Sequence, residues 1–395
     1  MSKKLWQTSS NLNPIVETFT VGDDYILDTR LLPYDIIGSQ AHARMLESIG
    51  IISRTELLDL EKGLSEILEL SQKGEFHISK TQEDCHTAIE QYLTEHYGEV
   101  GKKIHTGRSR NDQVLTILRL FMKDMHTDFI VSIQALVKEM DERAMEFQNQ
   151  KMPGYTHAQL AMPTTVGKWL DSYARAIEDQ LSIFSGVSGI LDQSPLGSAA
   201  GFGIDSFLND RALTTKLMGF GKVQQNPLYC GLSRGLFEHN FLSTLSGVIM
   251  LMGRMNNDLL LFTMQEFQFV SLPDAMTTGS SIMPQKRNYD LCELVRASIP
   301  VYLGHSDQLR NIYTHLMSGY QRDLQLTKKI FIEATDLAGN LVEVFGEIIS
   351  NLQFQSETLD TAMTDELYAT ERVYELVRTG MSFRDAYLEV KKGLF

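Results

Sequence analysis

Long stretches without proline limit this chain to a helical architecture. The nine prolines leave residues 34–152, 228–272 and 301–395 free of proline. Proline inside a helix removes a backbone donor and clashes with the preceding turn, so such intervals are typical of long helices. No run of alternating apolar and polar residues, the pattern of a half-buried strand, has a useful length. The sequence therefore predicts an all-α protein in which prolines mark helix ends.

Apolar spacing predicts several long helices. From Asp112 to Met140, apolar residues recur at steps of three and four, which is one face of a helix. A single helix over residues 111–149 would be roughly 60 Å long, a length typical of bundles. Similar patterns cover three further segments, residues 164–191, 233–269 and 301–352. Residues 233–269 are apolar almost all round, which predicts a helix enclosed by others in a bundle that subunits can share.

These patterns suggest three parts along the chain. We expect an N-terminal helical domain over residues 1–105, a central long-helix bundle over 106–345 and a C-terminal helical domain over 346–395. Loops of unusual polar composition connect the predicted helices. Loops on a rigid scaffold often contain the reactive residues of an enzyme.

The composition excludes several classes of protein. Lys and Arg number 36 against 50 Asp and Glu, a net charge of −14, whereas nucleic-acid binding requires a basic surface. No apolar stretch is long enough to span a bilayer, and no apolar core of a signal peptide follows Lys3 and Lys4. Cys85, Cys230 and Cys292 lie far apart, without the spacing of a zinc site or a disulfide framework. We expect a cytoplasmic protein that binds neither nucleic acid nor membrane.

The segment TTGSSIMPQKRN, residues 277–288, is the most distinctive of the polar loops. Gly279 gives backbone freedom, Ser280 and Ser281 supply hydroxyls, and Lys286 supplies positive charge near Asn288. A flexible loop with a cationic end suits a lid that closes on an anionic substrate. An ordinary solvated loop would have a similar composition.

Three further polar segments contain candidate ligands or catalysts. In HTGRSRNDQV, residues 105–114, Arg108 and Arg110 can clamp carboxylates, while Asn111 or Asp112 can cap the following helix; plain capping with solvated arginines is the alternative. In the MPGYTHAQLAMP loop, residues 152–163, His157 can act as a general acid or base, or be structural. The segment GYQRDLQLTKK, residues 319–329, is either a binding surface or a solvated helix edge.

A metal site is not predicted. Glu83, His86 and Glu90 in EDCHTAIE share one face of a predicted helix and look like half of a di-iron site. No second Glu-x-x-His motif occurs in the chain, and no phosphate-binding glycine loop occurs either.

Taken together, the polar segments resemble the fumarase/aspartase superfamily, and within it the argininosuccinate lyases. GSSIMPQKRN looks like the superfamily signature GSSxMPxKxN. The resemblance extends over nearly the whole chain and is carried by seven ordered blocks: YDIIGSQAHARML (34–46), EDCHTAIE (83–90), HTGRSRNDQV (105–114), MPGYTHAQLAMP (152–163), PLGSAAG (195–201), GSSIMPQKRN (279–288) and YQRDLQLTK (320–328).

The resemblance implies an all-helical, metal-free homotetramer without cofactor, whose active sites combine loops of three subunits. It implies β-elimination of argininosuccinate to arginine and fumarate, in arginine synthesis. By the same resemblance, Ser280 is the base, Lys286 stabilises the carbanion, and His157 of another subunit is on the acid side, oriented by Glu293. The implied substrate-binding residues are Ser109, Arg110, Asn111, Thr156, Asn288, Tyr320, Gln325 and Lys328.

Several positions depart from the family pattern. Tyr289 stands where the family usually has proline, and the N-terminal block reads KLWQTSSNLNP rather than KLWGGRF. A usual substrate-contacting serine has no match, and GDD, residues 22–24, lies near its place. The acidic residue that commonly follows the arginine of SRGLFEHN, residues 233–240, is absent. The chain stops at Phe395, shorter than most relatives, which suggests a trimmed C-terminal domain.

Other activities remain open at this point. A sister lyase that acts on adenylosuccinate or aspartate would share the Ser280 loop, although HTGRSRNDQ and YQRDLQ favour argininosuccinate. A non-catalytic, crystallin-like structural protein would be expected to lack Ser280, Lys286 and His157, yet all three are present.

Overall fold

The computed structural model describes residues 13–207 and 209–393. The N-terminal block KLWQTSSNLNP therefore lies almost entirely outside the described residues, as does Phe395. Within them the chain is predominantly helical, which confirms the all-α prediction. The α-helices are α1 (Pro14–Val21), α2 (Asp24–Ser48), α3 (Arg54–Gln72), α4 (Cys85–Tyr97), α5 (Glu99–Lys103), α6 (Arg110–Glu146), α7 (Val166–Ser185), α8 (Ser188–Leu191), α9 (Arg211–Leu217), α10 (Pro227–Ser233), α11 (Leu236–Phe262), α12 (Asp290–Thr314), α13 (Leu326–Ser350), α14 (Ser356–Thr361), α15 (Ala369–Arg378) and α16 (Phe383–Lys392).

The strands are short: β1 (Lys151–Thr156), β2 (Gln159–Thr165), β3 (Gln193–Ser194), β4 (Lys222–Val223), β5 (Val270–Ser271), β6 (Thr278–Gly279), β7 (Arg287–Asn288) and β8 (Gln353–Phe354). They form small two-stranded sheets, in which β1 pairs with β2, β3 with β4, β5 with β8, and β6 with β7. Among the described residues, β3 and β4 pair in parallel and the other three pairs are antiparallel.

The described residues cluster into two compact units. The first contains the described chain up to Asp128, with Ser185–Ser243 and Gly304–Asp336. The second contains Phe129–Phe184, Thr244–Leu303 and the described chain from Leu337 onward. Each unit thus draws on three separate stretches of chain, and the three-part division along the sequence stays a prediction.

An aromatic cluster lies in the core of the first unit. Phe121 of α6 and Phe241 of α11 both contact Phe331 of α13 edge to face, with ring centroids 6.2 and 5.3 Å apart. All three side chains are almost completely buried. Edge-to-face contacts stabilise such a cluster by about 0.5–1.5 kcal/mol per pair beyond the area buried. The cluster joins three helices that are distant in sequence and so supports the elements around it.

In the second unit, α7 packs closely on α11. Asp258 accepts hydrogen bonds from Trp169 Nε1 at 3.1 Å and from the Tyr173 hydroxyl at 2.8 Å. A Cβ atom at Gly247 would lie 2.1 Å from Gln180 Oε1, so the Gln180 side chain of α7 occupies the space that a larger residue at position 247 would need.

Prolines do not mark helix ends as consistently as the sequence suggested. Pro33 lies inside α2 and Pro300 inside α12. A proline in a helix removes one donor and costs about 3 kcal/mol. Burial of neighbouring side chains offsets that cost, since Leu31 and Leu32 beside Pro33 are fully buried.

Three segment predictions were wrong in detail. The helical pattern over residues 301–352 belongs to two helices, α12 and α13, and Gly319 in the link between them has a positive φ of 85° that glycine adopts without strain. The pattern over 164–191 is likewise interrupted, because α7 ends at Ser185. The expected loop over residues 152–163 is a β-hairpin. Pro153 and Pro163 lie directly opposite each other in it, so the two residues that lack a backbone N–H donor occupy one position of the hydrogen-bond ladder.

None of the helices in the described part of the chain combines the length and the apolar character that a bilayer crossing requires.

Candidate active site

A cavity of about 230 Å³ in the first unit is lined by residues from two of the predicted binding segments. Arg110 and Asn111 contribute from the N-terminal turn of α6, and Tyr320 and Gln325 contribute from the segment that leads into α13. The fold therefore places four predicted substrate-binding residues around one space. Amide, phenol and guanidinium groups are suitable donors to a carboxylate ligand.

Ser109 immediately precedes helix α6 and lies beside this cavity. Its hydroxyl accepts a hydrogen bond from the Asn111 N–H at 3.3 Å, so Ser109 is the N-cap. The prediction that Asn111 or Asp112 would occupy the cap position was wrong, because α6 begins at Arg110 and both residues lie inside its first turn. Ser109 also lines a neighbouring cavity of about 320 Å³, together with His86 and Arg108.

Carboxylates orient the Arg110 guanidinium. Its Nη1 lies 3.2 Å from Glu83 and 3.3 Å from Asp84, and its Nη2 donates to Thr87 Oγ1 at 2.8 Å. Glu83 precedes α4 with a positive φ of 72°, so the prediction that it shares a helix face with Glu90 was wrong. Arg110 is therefore held in one orientation at the cavity wall.

Asp112 has a larger role than capping. Its Oδ1 accepts the Ser109 N–H at 2.8 Å, and its Oδ2 accepts the N–H groups of Gly197 and Ala199 at 2.9 and 3.1 Å. The side chain is fully buried, and burial raises the pKa of its carboxyl to about 6 although these donors favour the ionised form. Asp112 thus joins the PLGSAAG segment to the start of α6.

Gln325 closes one side of the cavity. Its Nε2 donates to the carbonyl oxygens of Thr20 and Val21 at 3.0 and 3.2 Å. Its Oε1 accepts from Arg322 Nε at 3.1 Å. These bonds fasten the segment before α13 to the end of α1. The Tyr320 ring lies 5.3 Å from the guanidinium carbon of Arg234, a cation–π distance.

Lys328 lies behind the cavity wall rather than in it. Its side chain is 1% exposed, and its Nζ lies 2.5 Å from Asp28 and 3.4 Å from Asp24. Burial alone lowers the pKa of the Lys328 ammonium, but the two carboxylates outweigh burial and raise the pKa above its ordinary value. The lysine is therefore a buried cation that positions two acidic residues.

His157 lies at the tip of the β1–β2 hairpin in the second unit. The register pairs Thr156 with Gln159, so the connection is the two-residue turn of His157 and Ala158. Both residues have positive φ, 54° and 58°, which is the backbone of a type I′ turn. Asn-Gly is the usual sequence for such a turn, so this hairpin is strained at a predicted catalytic residue. Thr156 and His157 are both exposed.

Ser280 lies half-buried in the predicted lid, also in the second unit. Its Oγ accepts hydrogen bonds from the N–H groups of Ile282 and Met283 at 3.3 and 3.1 Å. Two donors aimed at one hydroxyl oxygen stabilise negative charge on that oxygen more than they stabilise the neutral group. This arrangement is suited to a serine that gives up its proton.

The base of the same loop is a short ladder between β6 and β7. Asn288 donates to the carbonyl oxygen of Gly279 at 3.3 Å. Arg287, a cation of the same loop, donates to the Leu272 carbonyl at 2.5 Å and pairs with Asp274 at 2.6 Å. Lys286 is exposed near this base. The loop therefore has fastened ends and an exposed centre.

Glu293 and Tyr289 belong to the start of α12. Glu293 is exposed in its first turn, and its N–H donates to the Tyr289 carbonyl at 3.2 Å, as does the Cys292 N–H at 3.0 Å. A proline carbonyl would accept the same bonds. The tyrosine at this departure from the family pattern is therefore compatible with the same helix start.

Comparison with known proteins identifies the family. The profile of a family described as lyase matches residues 10–301. The argininosuccinate lyase of Thermotoga neapolitana is 43% identical over 390 residues, which cover 98% of this chain and 97% of that protein. The chain belongs to the argininosuccinate lyase family. An argininosuccinate lyase of Bacteroides fragilis is 39% identical over 402 residues, and the alignment covers 100% of this chain and 89% of that protein.

Solved structures of other lyases share the fold of this chain. An EDDS lyase variant with bound fumarate superposes with a TM-score of 0.81 at 22% identity, over 97% of this chain and 76% of that one. A fumarate lyase from Mesorhizobium sp. BNC1 superposes with a TM-score of 0.76 at 16% identity, over 98% and 87%. The family resemblance inferred from the ordered motifs is thus confirmed, and so is the helical architecture that it implied.

One group of side chains has the composition of a metal site. Candidate ligand atoms of Asp35, Cys85 and His86 lie within 4.8 Å of one another. His86 Nδ1 is 2.6 Å from Asp35 Oδ2, however, which is a hydrogen-bond distance in a fully buried pair. Burial alone lowers the pKa of His86, but the Asp35 carboxylate outweighs it and raises the pKa. The lyase therefore has a buried ion pair here, and its geometry needs no metal.

The predicted site residues of this lyase thus fall into three groups. Arg110, Asn111, Tyr320 and Gln325 line one cavity of the first unit, with Ser109 adjacent and Lys328 behind the wall. Thr156 and His157 lie on the hairpin of the second unit. The remaining residues of the second unit are Ser280, Lys286 and Asn288 of the loop and Glu293 of α12.

Proposed function

We propose that this lyase cleaves argininosuccinate to arginine and fumarate. The observation that carries the proposal is identity of 43% to an argininosuccinate lyase over almost the full length of both chains. The cavity supports it, because carboxylates are the common feature of argininosuccinate and fumarate, and the cavity wall contains Arg110, Asn111, Tyr320 and Gln325.

Ser280 is the proposed base of the elimination. The serine oxygen removes the proton from the succinyl carbon next to a carboxylate, and the electron pair then forms the double bond of fumarate as the carbon–nitrogen bond breaks. The N–H groups of Ile282 and Met283, which donate to the Ser280 oxygen, support this role because they stabilise a serine anion. Lys286 would stabilise the negative charge that develops on the substrate carboxylate.

His157 is proposed on the acid side of the reaction. The departing guanidine nitrogen takes up one proton as the bond breaks, and an imidazole can supply it through water. Glu293 would orient His157 from another subunit. Ser109, Arg110, Asn111, Thr156, Asn288, Tyr320, Gln325 and Lys328 are proposed to bind or position the substrate.

We infer a homotetramer in which copies share active sites. Apolar side chains on α11 and α12 are exposed, and this supports contacts between copies of the chain. Among them are Met250, Leu261, Leu294 and Val301. Sedimentation should give four copies per particle. Mixing inactive Ser280→Ala and His157→Asn proteins after mild dissociation should restore part of the activity, because some sites then receive an intact serine and an intact histidine. No recovery from correctly mixed tetramers would contradict shared sites.

The proposed setting is arginine biosynthesis in the cytoplasm. All three cysteines, Cys85, Cys230 and Cys292, are free and buried. Free thiols are typical of a reducing compartment.

The deciding experiment is ultraviolet absorbance of purified protein with argininosuccinate, since fumarate has a conjugated double bond. Adenylosuccinate and aspartate are run in parallel. A rise with argininosuccinate alone is expected. A rise with one of the other substrates instead would identify a sister lyase, and no rise from folded tetramer with any substrate would favour the crystallin-like alternative.

A further inference from the structure

Asp24 places a negative charge at the wall of the first unit's cavity. It is the first residue of α2, lines the cavity that contains Arg110 and Tyr320, and has a side chain that is 21% exposed. The carboxylate can therefore contact a ligand. Glu83 and Asp84 also line this cavity, but both pair with Arg110, at 3.2 and 3.3 Å.

The buried lysine beside Asp24 does not neutralise this charge. Lys328 Nζ lies 2.5 Å from Asp28 and 3.4 Å from Asp24, so one ammonium faces two carboxylates. The shorter contact is to Asp28, whose side chain is fully buried and inaccessible to a ligand. Burial and the nearby Asp28 carboxylate raise the pKa of the Asp24 carboxyl, although Lys328 and Arg234 act in the opposite direction.

Positive charge lies elsewhere on the wall of the same cavity. Arg234 is 4% exposed, and its Nε has no hydrogen-bond partner among the described residues. Arg322 donates to two neutral oxygens, Gln325 Oε1 and the Thr20 carbonyl, at 3.1 and 2.8 Å. The cavity wall thus presents two guanidinium groups that suit a carboxylate and a partly exposed carboxylate that suits a cation.

This charge pattern fits one product better than the other. Fumarate has only carboxylates, whereas arginine also has a guanidinium and an α-ammonium group. We propose that Asp24 binds a cationic nitrogen of the arginine half of the substrate and is a specificity-determining residue of the site. This inference rests on the proposed function and goes beyond it by assigning the leaving group's binding residue.

The test is calorimetric titration of arginine and of fumarate into the wild type, Asp24→Asn and Asp23→Asn. Asp23 is a matched control, because it precedes Asp24 at the same helix end, is half exposed, and pairs with Lys329 at 2.6 Å. Asp24→Asn should weaken arginine about ten- to a hundredfold, as expected for loss of a charge-assisted hydrogen bond. Fumarate affinity should change by less than about threefold, and Asp23→Asn should change neither.

Three results would overturn the inference. They are equal weakening of both ligands by Asp24→Asn, an arginine effect of the same size in Asp23→Asn, and a wild type that binds fumarate but no arginine. If Asp24→Asn does not fold, Asp24→Ser takes its place.

Wild-type protein provides an independent arm. Citrulline lacks the guanidinium charge and Nα-acetylarginine lacks the ammonium charge, so one of them should bind about ten- to a hundredfold more weakly than arginine. The weaker ligand identifies the nitrogen that Asp24 contacts, and equal affinity of all three overturns the inference. Calorimetry measures binding and needs no turnover. The absorbance assay tests whether argininosuccinate is cleaved, and calorimetry tests separately whether arginine affinity depends on Asp24.

Discussion

The carboxylate of Asp112 accepts a hydrogen bond from the backbone N–H of Gly197 at 2.9 Å, although the two residues are 85 positions apart. The same carboxylate accepts the Ser109 N–H at 2.8 Å. Asp112 therefore determines where the first turn of α6 lies relative to the PLGSAAG segment. Arg110 and Asn111 extend from that turn into the cavity.

The first prediction concerns the pH dependence that Asp112 confers. Its pKa is raised by burial to about 6 from an ordinary 3.8, so the folded state favours the protonated form. The stability from this group is therefore complete below pH 3.8 and is lost as the pH rises through about 6. The unfolding free energy of wild type minus that of Asp112→Asn should fall by about 2.4 kcal/mol from pH 4 to pH 7. Urea unfolding at several pH values measures it, and a constant difference would refute the assignment.

The second prediction separates catalysis from backbone strain in the hairpin. Asparagine adopts positive φ more readily than histidine, so His157→Asn should keep the fold and its thermal stability but lose most of the turnover. Ala158→Gly is the matched change in the same turn. It should keep activity and gain about 0.5–1 kcal/mol of unfolding free energy, because glycine adopts positive φ without strain. Full activity of His157→Asn would exclude the proposed acid role.

The third prediction tests the base. Ser280→Ala removes the oxygen that accepts from Ile282 and Met283, but both residues are exposed and water can replace it. Turnover should fall by at least about 10³-fold while the melting temperature changes little. Ser281→Ala, one residue along the same exposed loop, should retain far more activity. Comparable losses in both variants would point to loop structure rather than to proton removal.

The fourth prediction concerns the pair of Lys328 and Asp28. Lys328→Met leaves a fully buried carboxylate without its closest cation, which should lower the unfolding free energy by about 3–5 kcal/mol. Adding Asp28→Asn removes the unpaired charge and should recover part of that loss. Asparagine keeps an oxygen that can accept from the Cys85 N–H, now 3.1 Å from Asp28. Losses that simply add in the double variant would show that the two residues do not act as a pair.

The sequence alone was sufficient to predict the helices whose stability depends mainly on local interactions. The apolar spacing after Asp112 predicted a helix over residues 111–149, and α6 covers Arg110–Glu146. The all-round apolar segment at 233–269 contains α11, Leu236–Phe262. The hydrogen bonds of a helix join residues four apart in the sequence. The spacing of apolar side chains along the sequence therefore predicts a helix directly. The ordered motifs were likewise sufficient for the family.

Tertiary structure decided the features that depend on distant residues. Burial of Leu31 and Leu32 allows α2 to continue through Pro33, and no local pattern reports that burial. The hairpin at His157 lacks the Asn-Gly turn that would have predicted it.

The site depends on tertiary structure for the same reason. Gln325 and Arg110 line one cavity because their segments meet in the fold, and the buried Lys328 pairs with Asp28, which is 300 positions away in the sequence. The sequence by itself determined the long helices α6 and α11 and the chemical groups that the chain has. The position and charge environment of those groups come from contacts between segments that are distant in the sequence. The energies of these contacts exceed the local conformational preferences of the chain, and the spacing of neighbouring residues does not predict them.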